Sequence, residues 1–238
     1  MEIQPVYLIL ADISGYTGFI KLHKNCLLHA EQIITDLMEA VIHKIEPPLQ
    51  LNKLEGDAAF FYAKAGDHDG AAPKITGQVL AFTSAYRDKQ QALIKAAEGG
   101  CPCAACRNID QLKLKTILHY GRAVIKQVHR LEELAGEDVI TAHRLLKNKV
   151  PASEYIMMTE DFYHISGGLA DNQPEPYTDN YEGIGEVKTL LYYPEAFPLE
   201  IPATAPMTKL SGRLEALRLD LKGLWRRLLR PKLIFHNL

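Results

Sequence analysis

Two aspartates, each at the end of an apolar run and each beside glycine, are the residues of this chain best placed to do chemistry. Asp12 lies in Leu8-Ile9-Leu10-Ala11-Asp12-Ile13-Ser14-Gly15-Tyr16-Thr17-Gly18-Phe19, where an apolar β run from Val6 to Ile9 passes into a helix start. Gly15 and Gly18 let the backbone turn tightly, and the first amides of the helix are free to face an anion. Asp57 follows 45 residues later in Lys53-Leu54-Glu55-Gly56-Asp57-Ala58-Ala59-Phe60-Phe61, which reads as a β-hairpin tip. Two carboxylates at strand ends suit a hard cation, Mg²⁺ or Mn²⁺, bridging phosphate oxygens. Asp beside Gly is also a common turn pair, and Asp12 alone would serve as a helix cap, so each has a purely structural reading as well.

Four segments in order are more specific than either aspartate: DISGYTGF from Asp12, KLEGDAAFF from Lys53, KTILHYG from Lys115 and GEDVITAHRL from Gly136. Together they resemble the class III nucleotidyl cyclase catalytic domain, the adenylate/guanylate cyclase family, over residues 4–194. The resemblance implies an α+β fold with a ferredoxin-like βαββαβ core and extra strands. It also implies a homodimer whose active sites form across the interface, and a nucleoside triphosphate, ATP favoured, as ligand. On the same ground Asp12, Asp57 and the backbone carbonyl of Ile13 hold the metal ions, and the amides after Gly15, at Tyr16 and Thr17, lie near the phosphates. Lys53 and Glu133 select the base, with Glu133 standing where the family has Asp. Arg144 is the catalytic residue that grips the phosphates in the transition state. Read as residues alone, Lys53 and the Glu132-Glu133 pair are equally solvated surface charges, and Arg144 a structural ion-pairing residue.

Three positions depart from the family pattern. Ile140 replaces an Asn that orients the ribose, and an Ile offers no hydrogen bond. At the last hairpin, Glu182 and Ile184 stand where a phosphate-binding Lys is expected, with Lys188 several residues displaced. Each lost transition-state contact typically costs about 10²–10³ in rate, and a carboxylate facing phosphate adds repulsion. Two readings therefore stand side by side. In the first, metals on Asp12 and Asp57 activate the ribose 3′-OH for attack on the α-phosphate; in the second, the fold is a catalytically weak or inactive binding or regulatory module.

Cys101, Cys103 and Cys106 fall within six positions of one another. In a cytoplasmic chain such a cluster points to Zn²⁺, with Cys26, a nearby His or a partner chain's Cys as the missing ligand. A reduced loop or a redox-active disulfide is the alternative. No HExxH-like pairing assigns any of the nine His residues to a metal.

The elements that must position these residues follow from periodicity. The expected path is a strand (4–12), a long helix (17–45) ending before Pro47-Pro48, a hairpin (49–64), a helix (72–98) and the Cys-rich insert at 99–108. Two strands (112–129), a helix (137–148), a strand (154–158), a short helix (160–165) and a hairpin (174–193) complete a domain over residues 1–196. A Pro-rich connector (197–207) leads to an amphipathic C-terminal helix (208–238) with Leu210, Leu214, Leu217, Leu221, Leu224 and Leu228 on one stripe. From Lys209 onward eight Lys/Arg face two acids, so the tail carries +6 of a net charge of −2. Docking of the stripe on the domain or on a second copy is the favoured expectation, and peripheral contact with an anionic membrane the alternative. With 47% hydrophobic residues, no membrane-length apolar run and no signal-peptide pattern, the sequence reads as a cytoplasmic protein. The slightly acidic balance and lack of interleaved aromatics argue against nucleic acid as a partner.

Overall fold

β1 (Glu2–Ser14) is an apolar strand with neighbours on both edges, and the rest of the chain is arranged around it. In the computed structural model, which describes residues 2–23, 26–66, 70–98, 103–169 and 173–193, every side chain from Val6 to Ala11 is buried. A strand covered on both faces needs this continuous apolar run rather than an alternating one. β2 (Gln50–Glu55) and β3 (Ala58–Lys64) form a hairpin, and β3 pairs antiparallel with β1. Along the other edge of β1, β4 (Lys113–Val128) pairs antiparallel all the way from Glu2 to Ser14. The sheet continues through β6 (Tyr155–Thr159) to β8 (Gly185–Tyr192) and β7 (Glu175–Tyr181). β5 (Leu131–Ala135) pairs the far end of β4, which gives eight strands in the order β2-β3-β1-β4-β6-β8-β7 with β5 beside β4. Only β4 and β6 run parallel.

Alternate residues of β1 feed two cores. Ile9, Ala11 and Ile13 face α1 (Tyr16–Leu22), α2 (Leu27–Ile42), α3 (Ala71–Glu98), α4 (Ala104–Arg107) and α6 (Glu160–Ser166), packing with Phe19, Ile33, Leu37, Phe82 and Phe162. Val6, Leu8 and Leu10 face the other way, onto Phe60, Ile117 and the Val139, Ala142 and Leu145 stripe of α5 (Glu137–Leu145). The run β1, α1–α2, β2, β3, α3, β4 is the expected α+β core, and its strands lie adjacent in the order β2-β3-β1-β4.

Four expectations are corrected. The long helix 17–45 is two helices, because His23 ends the first: its N–H reaches back only to Ile20 O (3.2 Å), and its buried ring turns to Phe19 O and the Asn108 amide. The two strands expected in 112–129 are one strand of 16 residues, with β5 as its hairpin partner. Gly121 is not a turn there; it lets α5 approach, since a Cβ would sit 2.2 Å from Asp138 Cγ. The helix 137–148 ends at Leu145. The Cys-rich insert, expected as a loop, holds α4 and a 3₁₀ turn, Ile109–Gln111. The connector and the C-terminal helix lie outside the described residues, as does Cys101; among the described residues no helix is long and apolar enough to cross a membrane.

Candidate functional site

Asp12 enters through the register of β1, directly opposite Ala58, the residue that follows Asp57 in the β2–β3 turn. Gly56 takes φ +67° to make that turn, and the Asp57 carbonyl accepts the Ile13 N–H at 3.1 Å, so both aspartates are fixed at one end of the sheet. Burial, and then the negative charge of Asp12, push the Asp57 carboxyl above its ordinary value; Glu31 adds to this, while Lys115 works against it. Lys115 is the cross-strand neighbour of Asp12, with its Nζ 2.9 Å from Asp12 Oδ2 and 3.2 Å from the Leu146 carbonyl. Glu31 receives the Tyr16 hydroxyl at 3.2 Å, and burial with the Glu31 charge pushes that phenol upward. Lys115 therefore pairs with Asp12 and acts on Asp57, while Glu31 acts on Asp57 from α2. Two carboxylates at one end of the sheet are hard oxygen donors of the kind a divalent cation takes. Gly15 holds φ +91° as the cap of α1, where a Cβ would approach Gln111 O to 3.2 Å; Thr17 is exposed beside it.

Lys53 and Glu133 form a second group. Lys53 Nζ lies 2.9 Å from Glu55 Oε1 and 3.9 Å from Glu133 Oε2, so the two residues read from the sequence as a pair do meet. β5 carries Glu133 to β2: Asn52 Nδ2 donates to Glu132 O at 3.0 Å, and the Tyr62 hydroxyl donates to the Glu132 carboxylate. Burial and that carboxylate push the Tyr62 phenol strongly upward. His143 of α5 stacks edgewise on Phe60 (5.0 Å between ring centroids), with Nδ1 3.6 Å from Glu55 Oε2. Burial lowers its pKa; Glu55 opposes that shift and Lys53 reinforces it. These charges are half exposed, so their pairing contributes little stability and mainly fixes where they point.

Arg144 joins neither group: it is exposed on α5 and makes no ion pair among the described residues. Ile140, four residues earlier on the same helix face, is 56% exposed. At the β7–β8 turn, Gly183 and Gly185 have positive φ, Glu182 is exposed, Ile184 packs against the second core and Lys188 sits along β8 opposite Thr178. Neither Glu182 nor Ile184 supplies a cation there; Lys149, from the segment after α5, pairs with Asp179 of β7 at 3.3 Å. Sequence reading missed Lys115, Glu31, Glu55 and His143. Lys115 had a signal, a charge inside an alternating strand opposite a key carboxylate, but Glu31 meets the aspartates only through the packing of α2.

A separate cluster lies on the face of the sheet covered by α1 and α2, away from α5. His29 of α2 meets Cys103 and Cys106, with Cys103 Sγ 3.4 Å from His29 Nδ1 and Cys106 Sγ 3.9 Å from the same atom. His29 is 74 residues from Cys103 in the chain, which is why spacing could not assign it.

This fold is that of the class III cyclase domain. The chain superposes on the guanylyl cyclase Cya2 with a TM-score of 0.58 at 12% identity, covering 87% of this chain and 98% of that one. The guanylate cyclase domain of RhGC from Catenaria anguillulae, in complex with GTP, gives 0.54 at 15% identity over 80% and 97%. The catalytic core of a rhodopsin-guanylyl cyclase with converted specificity, in complex with ATPαS, gives 0.53 at 17% identity over 80% and 97%. By sequence, the chain belongs to the DUF2652 family, described as "Protein of unknown function", whose signature spans residues 34–155. It is 33% identical over 192 residues to the uncharacterized protein Rv2561/Rv2562 of Mycobacterium tuberculosis, covering 81% of this chain and 85% of that protein.

Proposed function

We propose that this protein binds a nucleoside triphosphate, ATP in preference to GTP, with Mg²⁺ or Mn²⁺ on Asp12 and Asp57, and slowly converts it to the cyclic nucleotide across a homodimer. The observation that carries this reading is the placement of the aspartate pair: Asp12 lies opposite Ala58, and the Asp57 carbonyl accepts the Ile13 N–H, so both carboxylates stand at one end of the sheet. Burial and then Asp12 raise Asp57, and a divalent ion between them would relieve that repulsion. The ion, when bound, polarises the phosphates and favours ionisation of the ribose hydroxyl. Lys115 holds the Asp12 carboxylate in place by its 2.9 Å contact. The turn at Gly15, Tyr16 and Thr17 borders the phosphates, and Ile13 offers its carbonyl as a further ligand.

Lys53 and Glu133, 3.9 Å apart, present a donor and an acceptor to the base edge, which is the pattern an adenine N1 and amino group require. Arg144, which makes no ion pair among the described residues, supplies charge to the phosphates bound by the second copy. Exposed Leu54, Leu131, Val128 and Ile140 lie on the strands and helix that carry these residues, and a second copy is what would cover them. Ile140 and Glu182 slow the reaction, each by about 10²–10³ relative to a site with the polar or basic group. Two protein structures of this fold hold GTP and ATPαS, which makes both bases worth assaying.

The test is incubation of purified protein with ATP or GTP and Mn²⁺, followed by chromatography for cyclic product and, separately, titration for metal-dependent nucleotide binding. Cyclic AMP formation lost in Asp57→Ala is the expected result. Binding without product leaves the binding part and removes the reaction; neither binding nor product overturns the whole reading.

A further inference from the structure

We propose that His29, Cys103 and Cys106 form a zinc site that fastens the insert after α3 to the start of α2. The donor atoms offered by these three residues all lie within 4.8 Å of one another, although they come from segments that neither strand pairing nor one helix brings together. The spacing is that of a tetrahedral ion. Bond lengths of about 2.3 Å to sulfur and about 2.05 Å to nitrogen place an S and an N ligand roughly 3.5 Å apart at the tetrahedral angle. The observed Sγ to Nδ1 distances, 3.4 Å for Cys103 and 3.9 Å for Cys106, straddle that value.

The local backbone also suits a thiolate. Cys103 caps α4, and the Cys106 N–H points at Cys103 Sγ at 3.4 Å, so a Cys-x-x-Cys turn directs an amide donor onto the first sulfur. A hydrogen bond donated to the charged form of a ligand favours that form. Two thiolates and an imidazole are a soft donor set that selects zinc over Mg²⁺ or Ca²⁺. Cys106 is buried, and His29 and Cys103 are half-buried, so a charged pair of sulfurs here needs a cation beside it. Three protein donors leave one tetrahedral position for a water or a further ligand.

The site has a structural consequence. His23, just before α2, already reaches Asn108 just after α4 at 3.2 Å. A metal on His29, Cys103 and Cys106 adds a second tie between the same two segments and fixes the elbow between α1 and α2. It lies on the face of the sheet away from α5, on the helix that also carries Glu31, and its test reads the bound zinc itself rather than nucleotide binding or turnover.

The test is elemental analysis of full-length protein purified without chelator, followed by replacement of the native metal with Co²⁺. One zinc per chain is expected, with sulfur-to-cobalt charge-transfer and tetrahedral visible bands in the Co²⁺ form. His29→Ala, Cys103→Ser and Cys106→Ser should each remove the bands and at least ten-fold of the Zn²⁺ affinity. His29→Cys, which keeps a ligand at the position, should retain a shifted spectrum, and Cys26→Ser should leave it unchanged. The melting temperature of wild type, but not of Cys106→Ser, should fall on addition of a strong chelator. Folded wild-type protein without zinc, bands that persist in Cys106→Ser, or a Cys103–Cys106 disulfide in protein kept from oxidants would each overturn the proposal.

Discussion

Asp57 is the residue whose behaviour separates a metal site from a turn. Its carboxyl is raised above the ordinary carboxylate range by burial and by Asp12. A group whose pKa rises on folding contributes stability below its unfolded value, near pH 4, and that contribution is lost as pH rises through the folded value. Asp57→Asn should therefore raise the melting temperature of metal-free protein at pH 7 and leave it unchanged below about pH 4. Saturating Mn²⁺, at about 100-fold over its Kd, should stabilise wild type by about 2.7 kcal/mol, roughly 5–10 °C for a chain of this size, and Asp57→Asn much less. Thermal melts across pH with and without Mn²⁺ check both. If Asp57→Asn melts lower at every pH and Mn²⁺ acts equally on both proteins, the residue is a turn cap. Asp12 and Asp57 could be read from the residues because each ends an apolar run beside glycine, whereas Lys53 and Glu133 came only from the resemblance to the cyclase family. Lys115 and Glu31 were missed because what matters is their approach to Asp12 and Asp57, which register and helix packing supply.

At the scale of elements, the contact between β4 and α5 decides whether the Arg144 face is presented at all. Asp138 receives His119 Nε2–H at 3.1 Å and the Arg122 N–H at 2.6 Å, and His119 Nδ1 in turn faces the Thr159 hydroxyl at 3.1 Å. The His119 hydrogen bond, followed by that of Arg122, holds the Asp138 carboxyl below its ordinary value against the opposing effect of burial. Its pKa is lowered on folding, so its contribution is present above the unfolded value and lost as pH falls through the folded one, below about pH 4. Asp138→Asn should cost about 1–3 kcal/mol at pH 7, and the cost should shrink as pH is lowered from about 4 through the folded value, as measured by urea unfolding across pH. Gly121→Ala places a Cβ within 2.5 Å of both Asp138 Cβ and Cγ, so it should destabilise the protein comparably and lower the activity attributed to Arg144. An unchanged denaturation midpoint in Gly121→Ala would mean that α5 is free to shift. None of this was legible in the sequence. Gly121 appears in the sequence only as the end of the KTILHYG segment, whereas its role is to admit a carboxylate from a helix 17 residues on. The break of the first long helix at His23 was hidden for a similar reason: helical spacing continues through it, and only the partner at Asn108 shows why the ring must leave the helix.

For the whole molecule, the proposed reaction needs two copies, because among the described residues Arg144 makes no ion pair, while Asp12 pairs with Lys115. The apolar residues left exposed on the elements that carry Lys53, Glu133 and Arg144, Leu54 at 54%, Leu131 at 66% and Ile140 at 56%, argue the same way. Changing Leu131 to Glu should shift the sedimentation of the protein to that of a monomer without lowering its melting temperature by more than a few degrees, since the side chain is exposed within one copy. Product formation should fall with it. A sharper test mixes two inactive proteins, Asp57→Ala and Arg144→Ala. If the aspartates of one copy work with the arginine of the other, the mixed dimer contains one site with both defects and one site with neither. At equal concentrations random exchange gives half mixed dimers, each with one intact site, so activity should return to about one quarter of wild type. Wild-type Lys53 and Glu133 are present in both proteins, so the recovery depends on the position of Arg144 alone. No recovery at concentrations where sedimentation shows dimers would place Arg144 and Asp57 in the same copy's site, and the dimer would then be a matter of packing only.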